Sequence, residues 1–369
     1  MKNLNFKIKS NMNELREYIS LNMPVRGSEE WDKISQHLPT NAIIRNGGTF
    51  RQRVDLDNRY SSSELQEMVS LQNAKNFKFI YVLNLNNVPS DEFDDIERLI
   101  NAGLRIELIQ IGNENWLTKY NGDPDGECVT ERTARFTIER YYEYAYEYIQ
   151  EAVSRNIGDF TWIFNLATPS IRHDTNRKRR LLEYNRQMYL GMDQFQAVIS
   201  DIDWMFSMHV YSFGGPVDTS LFYDQMDEFG YTGHPVIVTE SGVPTQLVAQ
   251  GEITPQEWIT LQKSTMEYIA NNMRVGVDIF GTGPLWQSDG LGVITSQGKG
   301  EVYDTVIDIQ NTLSDCACDV EYVGSYLFNK LHLYRILNAG VSTGVKSIWR
   351  PSGVPTIQEA KDKFCDCSK

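Results

Sequence analysis

Two short stretches of this chain place a carboxylate directly after an apolar run. Ile106-Glu107-Leu108-Ile109-Gln110-Ile111 ends in Gly112-Asn113-Glu114-Asn115, and Val236-Ile237-Val238-Thr239 closes with Glu240-Ser241-Gly242. Each run reads as a buried strand, and polar residues at the C-terminal end of a strand are where parallel barrels carry their chemistry. Two carboxyl groups delivered to one mouth suit glycosidic-bond cleavage. One gives a proton to the leaving oxygen while the other attacks or stabilises the anomeric carbon. A single Glu in a loop is usually incidental; two at matched strand ends are read here as a working pair.

Eight short apolar or β-rich segments can position them: 4–9, 42–46, 78–84, 105–111, 160–166, 203–210, 235–239 and 277–281. Helix-like stretches separate most of them, among them Ser62 to Lys75, Asp91 to Ala102, Glu131 to Arg155, Lys178 to Ser200 and Pro255 to Met273. Strand and helix alternate at spacings near the roughly 30 residues of a βαβ unit, and eight such units predict an α/β fold, a (β/α)8 TIM barrel. A doubly wound open sheet is the competitor, but no Gly-rich GxGxxG follows the first strand. The first segment, Leu4 to Lys9, alternates like a half-exposed strand and is the least typical. Residues Asn113 to about Glu131 form a long loop over the predicted mouth. The barrel should end near residue 313, after a helix around Glu301 to Leu313. Residues 314–369 then form a short C-terminal extension, in which Tyr322 to Leu337 reads as an aromatic, apolar element packed on the barrel.

In the context of that fold, Gly112-Asn113-Glu114 and Thr239-Glu240-Ser241-Gly242 resemble the signatures of the clan A retaining glycoside hydrolases. The resemblance implies that Glu114 is the acid/base and Glu240 the nucleophile. Ile43-Ile44-Arg45-Asn46-Gly47-Gly48-Thr49 resembles the end of strand two in the clan's heparanase-like and arabinofuranosidase-like families, although Asn46 stands where those families often have an aromatic residue or Pro. His209-Val210-Tyr211 resembles a strand-six end whose His and Tyr lie beside the nucleophile, and Trp286 a strand-eight Trp that floors the sugar site. The likeness spans roughly residues 1 to 313 and singles out no one family. The C-terminal β-sandwich of several relatives is not evident.

Each supporting residue has a plain structural alternative beside its functional one. Arg45 either pairs with a structural carboxylate or keeps Glu240 ionised and oriented. His209 and Tyr211 are core residues or partners of Glu240, with the phenol holding its attacking oxygen. Asn113 suits the sugar hydroxyl next to the anomeric carbon. Trp286 and Trp116 are either core or sugar platforms. Arg177-Lys178-Arg179-Arg180 opens a helix, where positive charge opposes the macrodipole; it is a solvated helix face or a binder of anionic sugar. Asp123, Asp125 and Glu127 lack EF-hand spacing, and no His or Cys cluster has zinc spacing, so no metal and no cofactor are expected.

Composition narrows the partners. A chain of 369 residues with 41% hydrophobic and 23% charged residues can bury a sizeable core, and its net charge of -14 argues against a general nucleic-acid binder. No run approaches a membrane span, and the first residues lack the apolar stretch of a secretory signal. A cytoplasmic location is therefore expected, with secretion or release by lysis as the alternative. Of the five cysteines, Cys128 lies in the long loop, while Cys316 and Cys318, and Cys365 and Cys367, form two Cys-x-Cys pairs that could make disulfides or a four-thiolate metal site; reduced thiols are the default in a cytosolic chain. The expected activity is retaining hydrolysis of O-glycosidic bonds in an oligo- or polysaccharide by double displacement. The alternative is a carbohydrate-binding or structural barrel without turnover.

Overall fold

The structure is a computed structural model. It describes residues 19–22, 28–40, 42–46, 52–53, 59–117, 119, 128–134, 137–170, 173–199, 202–272, 278–284, 286–287, 291–295, 297–314, 318–326, 331–338, 341–349, 355 and 359. Eight parallel strands form one sheet: β1 (Ile19–Asn22), β2 (Ala42–Asn46), β3 (Lys78–Leu83), β4 (Leu108–Ile111), β5 (Thr161–Asn165), β6 (Asp203–Tyr211), β7 (Val236–Gly242) and β8 (Gly281–Pro284). Neighbours in sequence are neighbours in the sheet, and β8 pairs with β1. Just before β8, Ile279 bridges in parallel to Ile237 of β7, which closes the ring. The fold is a (β/α)8 barrel.

Helices follow the strands on the outside: α1 (Ser28–His37), α2 (Ser62–Lys75), α3 (Pro89–Asn101), α4 (Ile138–Arg155), α5 (Thr175–Phe195), α6 (Ser220–Glu228), the short α7 (Gln246–Ala249), α8 (Pro255–Asn272) and α9 (Tyr303–Ser314). Their ends are written locally. Ser61 and Glu64 form a reciprocal capping box on α2, and Asn76 ends that helix in the left-handed region at φ 53°. Thr137 and Asp174 cap α4 and α5 through their side chains.

Two apolar layers result from the two-residue period of the strands. The interior is small and aliphatic, built from Ile43, Ile80, Val82, Leu108, Ile163, Met205, Ile237 and Ile279. The opposite face of the strands packs a far larger layer against the helices, with Tyr81, Phe164 and Phe206 meeting Tyr141, Tyr189 and Trp258. No helix among the described residues is long and apolar enough to cross a membrane.

Two sequence expectations are corrected at the ends of the barrel. The first barrel strand is Ile19–Asn22, not 4–9, which lies outside the described residues. Ile-Ser-Leu-Asn is too short and too polar in alternation to stand out as a buried strand, yet it pairs on both sides. The eighth strand runs over Gly281–Pro284, just past the expected 277–281. Its Gly281 passes so close to Val238 that an added Cβ would lie 1.7 Å from the Val238 carbonyl oxygen, which explains why an apolar pattern ends there. Beyond α9, β12 (Cys318–Tyr326), β13 (Leu331–Asn338) and β14 (Val341–Trp349) form an antiparallel three-stranded sheet of their own. The Tyr322 to Leu337 stretch spans parts of the first two. Three two-residue strands, β9 (Trp286–Gln287), β10 (Ile294–Thr295) and β11 (Gly298–Lys299), make a third small sheet.

Candidate active site

Inward positions one to three pleats beyond the aliphatic interior turn polar. Counting in steps of two, Ile43 leads to Arg45, Leu108 to Gln110, Ile163 to Asn165, and Met205 to Ser207, His209 and Tyr211. These side chains meet. Arg45, with no exposed surface, donates through Nε to Gln110 Oε1 at 2.7 Å, through Nη1 to Glu240 Oε1 at 2.6 Å and through Nη2 to Asn113 Oδ1 at 2.6 Å. Gln110 in turn donates to Asn165 Oδ1 at 2.7 Å, and Ser207 donates to the same oxygen at 2.9 Å. Asn165 reaches back to the carbonyls of Ile111 and Gly112 at 2.6 and 3.0 Å, which fixes the backbone just before Asn113 and Glu114.

Glu240 needs a departure from regular pairing to join this cluster. Strict alternation from the interior residue Ile237 would turn Thr239 and Ser241 inward and Glu240 outward toward the helices. The register between β6 and β7 shifts at this point, from Met208 opposite Val238 to His209 opposite Glu240. One extra residue on β7, Thr239, forms a β-bulge, and Glu240 faces the interior. Its Oε1 accepts from Arg45, and its Oε2 accepts a short hydrogen bond from the Tyr211 hydroxyl. His209 Nδ1 lies 3.6 Å from Oε2.

Glu114 arrives differently. Gly112 has φ 70° and Glu114 itself has φ 44°, a left-handed conformation uncommon for a residue with a side chain. Such a residue persists only where its surroundings fix it, and at strand ends it accompanies function. The turn brings Glu114 Oε1 to 3.1 Å from His209 Nδ1, and Lys119 Nζ stands 3.7 Å from Oε2. One oxygen of Glu114, one of Glu240 and one nitrogen of His209 all lie within 4.8 Å of one another.

The two carboxyls sit in different electrostatic settings. Burial alone would raise Glu240, but the charges of the His209 ring and the Arg45 guanidinium and the Tyr211 hydrogen bond outweigh it, and the group is held well below the ordinary carboxylate value. The Tyr211 hydroxyl is pushed far up by burial and by the charges of Glu240 and Glu114, so it stays a donor. Glu114 has no guanidinium partner among the described residues and is the more exposed of the two, at 14% against 8% of the side chain. Glu114, His209 and Glu240 together have the donor types of a cation site. An ion there would face the Arg45 charge across Glu240, whose two oxygens are already engaged by Arg45 and Tyr211, so the arrangement suits an ionised nucleophile better than a metal.

The sequence-derived residues Arg45, Asn113, Glu114, His209, Tyr211 and Glu240 are thus brought together. Trp116 joins them, its ring edge-on to His209 at 5.6 Å between centroids. Trp286 lies in β9, and its side chain falls outside the described residues, as do Gly47 to Thr49, Asp123, Asp125 and Glu127. Cys128 is buried. Sequence reasoning passed over Gln110, Asn165, Ser207 and Lys119. For the first two a signal existed: an amide within or ending an apolar strand, on the parity of the interior.

No family model matches the sequence, and no curated protein matches it. Solved structures do. Native xylanase 10B from Thermotoga maritima is 12% identical, with 82% of this chain and 98% of that chain covered and a TM-score of 0.50. A GH51 arabinofuranosidase from Xanthomonas axonopodis pv. citri is 11% identical over 93% of this chain and 78% of that one, with a TM-score of 0.45. A glycoside hydrolase family 30 subfamily 8 xylanase from Clostridium acetobutylicum is 10% identical over 87% and 80%, with a TM-score of 0.43. At 12% identity the likeness to the xylanase 10B is one of fold. The resemblance drawn from the motifs holds at the level of the barrel, and no one family is singled out.

Proposed function

We propose that this chain is a retaining glycoside hydrolase that cleaves O-glycosidic bonds of an oligo- or polysaccharide. The observation that carries the reading is the pair itself. Glu114 and Glu240 end strands four and seven of one barrel, approach to within 4.8 Å, and differ in that only Glu240 is clamped by a buried Arg and a Tyr. Retaining glycosidases hold their carboxyl groups about 5 to 5.5 Å apart, whereas inverting ones leave a gap of about 6.5 to 9.5 Å for water. The separation supports direct attack.

In this mechanism Glu240, kept ionised by Arg45 and oriented by Tyr211, attacks the anomeric carbon. Glu114 protonates the departing oxygen, giving a covalent glycosyl-enzyme, and then takes a proton from the water that hydrolyses it. Asn113, held by Arg45, is placed for the hydroxyl beside the anomeric carbon, and Trp116 offers an indole to the sugar's C–H face. Residues 1–313 are assigned to the catalytic barrel and 314–369 to the extension.

A barrel that merely binds carbohydrate has no use for a second carboxylate beside one already ionised and clamped, because burying charges is costly unless they serve. The test separates the two roles. Replacing Glu240 with Ala should abolish hydrolysis of every substrate. Glu114→Ala should retain cleavage of an activated aryl glycoside, whose leaving group needs no proton, and stall at the glycosyl-enzyme. Azide should then restore turnover in Glu114→Ala and give a glycosyl azide of retained configuration, while in Glu240→Ala it can only give the inverted one. Reversed stereochemistry would exchange the roles, and no turnover on any glycan or aryl glycoside would remove the proposal.

A further inference from the structure

The start of α5 stands beside the catalytic centre and carries charge the reaction does not use. A cleft of about 870 Å³ is lined there by Arg177, Arg179, Arg180 and Tyr184. The Tyr184 ring meets Trp116 edge-on at 5.7 Å, and Trp116 meets His209 at 5.6 Å, so one aromatic wall runs from the cleft to the glutamates. A second connection crosses Phe213, which is 58% exposed. Its ring lies 6.2 Å from Tyr211 on one side and 5.6 Å beneath the Arg177 guanidinium on the other.

The arginines are available. Among the described residues, none of Arg177, Arg179 and Arg180 lies within ion-pair distance of a carboxylate. The two acidic residues of the cleft are engaged elsewhere: Asp174 caps α5 through the Arg177 backbone N–H at 2.9 Å, and Glu183 accepts from Arg186 at 3.3 Å and Gln187 at 3.0 Å. Cations at a helix N-terminus oppose its dipole, and beyond the capping Asp174 the first turn of α5 holds no acidic residue to offset the three arginines. The positive patch also stands out on a chain of net charge -14. A solvated face gains nothing from that placement.

We infer that this face of α5 is a subsite for an acidic glycan, its carboxylate or sulfate groups held by Arg177, Arg179 and Arg180 while its rings rest on Tyr184, Trp116 and Phe213. Planar guanidinium forks match both oxyanions, and aromatic faces match sugar C–H surfaces. The inference rests on the glycosidase reading and names its substrate class.

Calorimetric titration of the full chain carrying Glu240→Ala, which removes turnover, tests it with three probes. These are an oligogalacturonate (carboxylate only), a carrageenan oligosaccharide (sulfate only) and a neutral xylo-oligosaccharide. At least one acidic probe should bind more tightly than the neutral one, with an affinity that falls as salt rises. Adding Arg177→Ser, Arg179→Ser and Arg180→Ser, all at exposed positions, should weaken that probe about tenfold more than the neutral one, a difference of about 1.4 kcal/mol. An unchanged melting temperature would show that the triple variant is folded. The inference is overturned if neither acidic probe outbinds the neutral one, or if the triple variant weakens all three alike. Turnover is scored separately on the unsubstituted chain. Arginine-dependent binding of an acidic probe without hydrolysis of any glycan would sink the glycosidase reading and leave the subsite, whereas hydrolysis of neutral glycans without arginine-dependent binding would sink the subsite alone.

Discussion

Tyr211 is the residue whose role can be tested with least disturbance, because its hydroxyl makes one contact that matters to Glu240 and its ring stays in place as Phe. A hydrogen bond to a charged group is worth roughly 1.5 to 3 kcal/mol, so Tyr211→Phe should lower kcat/KM by about tenfold to a hundredfold. It should also move the acid limb of kcat/KM. The Glu240 carboxyl is depressed below its ordinary value of 4.5, partly by this hydroxyl, so losing the bond raises it and the limb shifts to higher pH. The linked effect on stability has a definite sign. A depressed carboxyl favours the folded state at pH above 4.5 and loses that contribution as pH falls from there toward its native value, so the variant should lose part of the stability that the native protein holds at neutral pH. A slower enzyme with an unmoved acid limb would mean that the hydroxyl serves the sugar and not Glu240.

At the scale of elements, two irregularities aim the carboxylates, a bulge in β7 and a left-handed turn after β4. Val236 to Glu240 reads as a plain apolar strand, and its alternation would put Glu240 on the helix side; the bulge at Thr239 arises from pairing with β6, a non-local event that no local pattern announces. By contrast β2, β3, β5 and β6 were legible because continuous apolar runs bounded by turns have few other readings, and β1 was not, since its four residues alternate. The site was legible where a polar residue stood at a strand end, as with Arg45, Glu114 and Tyr211. Gln110 hid inside an apolar run, and its partners Asn165 and Ser207 became meaningful only once the ring was closed. The second irregularity, at Gly112, yields a test. A Cβ there would lie 2.5 Å from Asn115 Oδ1 and 2.8 Å from Leu85 Cδ1, and its φ of 70° disfavours any side chain. Gly112→Ala should therefore cost the backbone about 1 to 2 kcal/mol and, through the clash, shift Asn113 and Glu114. Gly251, with φ 72° and nothing within 4 Å of an added Cβ, is the control. Gly251→Ala should lower the melting temperature comparably and keep activity. If both variants lost activity in step with stability, the Gly112 turn would have no particular part in aiming Glu114.

For the whole molecule, the division into two apolar layers separates what holds the barrel together from what holds the site in place. The layer between strands and helices is broad and rich in aromatic residues, while the interior is a plug of eight side chains directly beneath the polar cluster. Met205 belongs to the plug, and the next inward residues on its strand are Ser207, which bonds Asn165, and His209, which touches Glu114. Met68 on α2 belongs to the outer layer and is equally buried, both residues being 0% exposed. Truncating either to Ala removes the same atoms from the same degree of burial, so each should destabilise the fold by about 2 to 5 kcal/mol. Their effects on catalysis should part company. A cavity under the site lets β6 settle and displaces His209 and Ser207, and a misplacement of about 1 Å can cost roughly a hundredfold in rate. A cavity between α2 and the sheet relaxes away from the mouth. Thermal unfolding and kcat/KM of Met205→Ala and Met68→Ala, measured well below both melting temperatures, should show similar losses of stability but a large loss of activity only for Met205→Ala. Equal activities in the two variants would mean that the site is held by its own hydrogen bonds, from Arg45 through Gln110 to Asn165, and that the plug beneath it contributes stability alone.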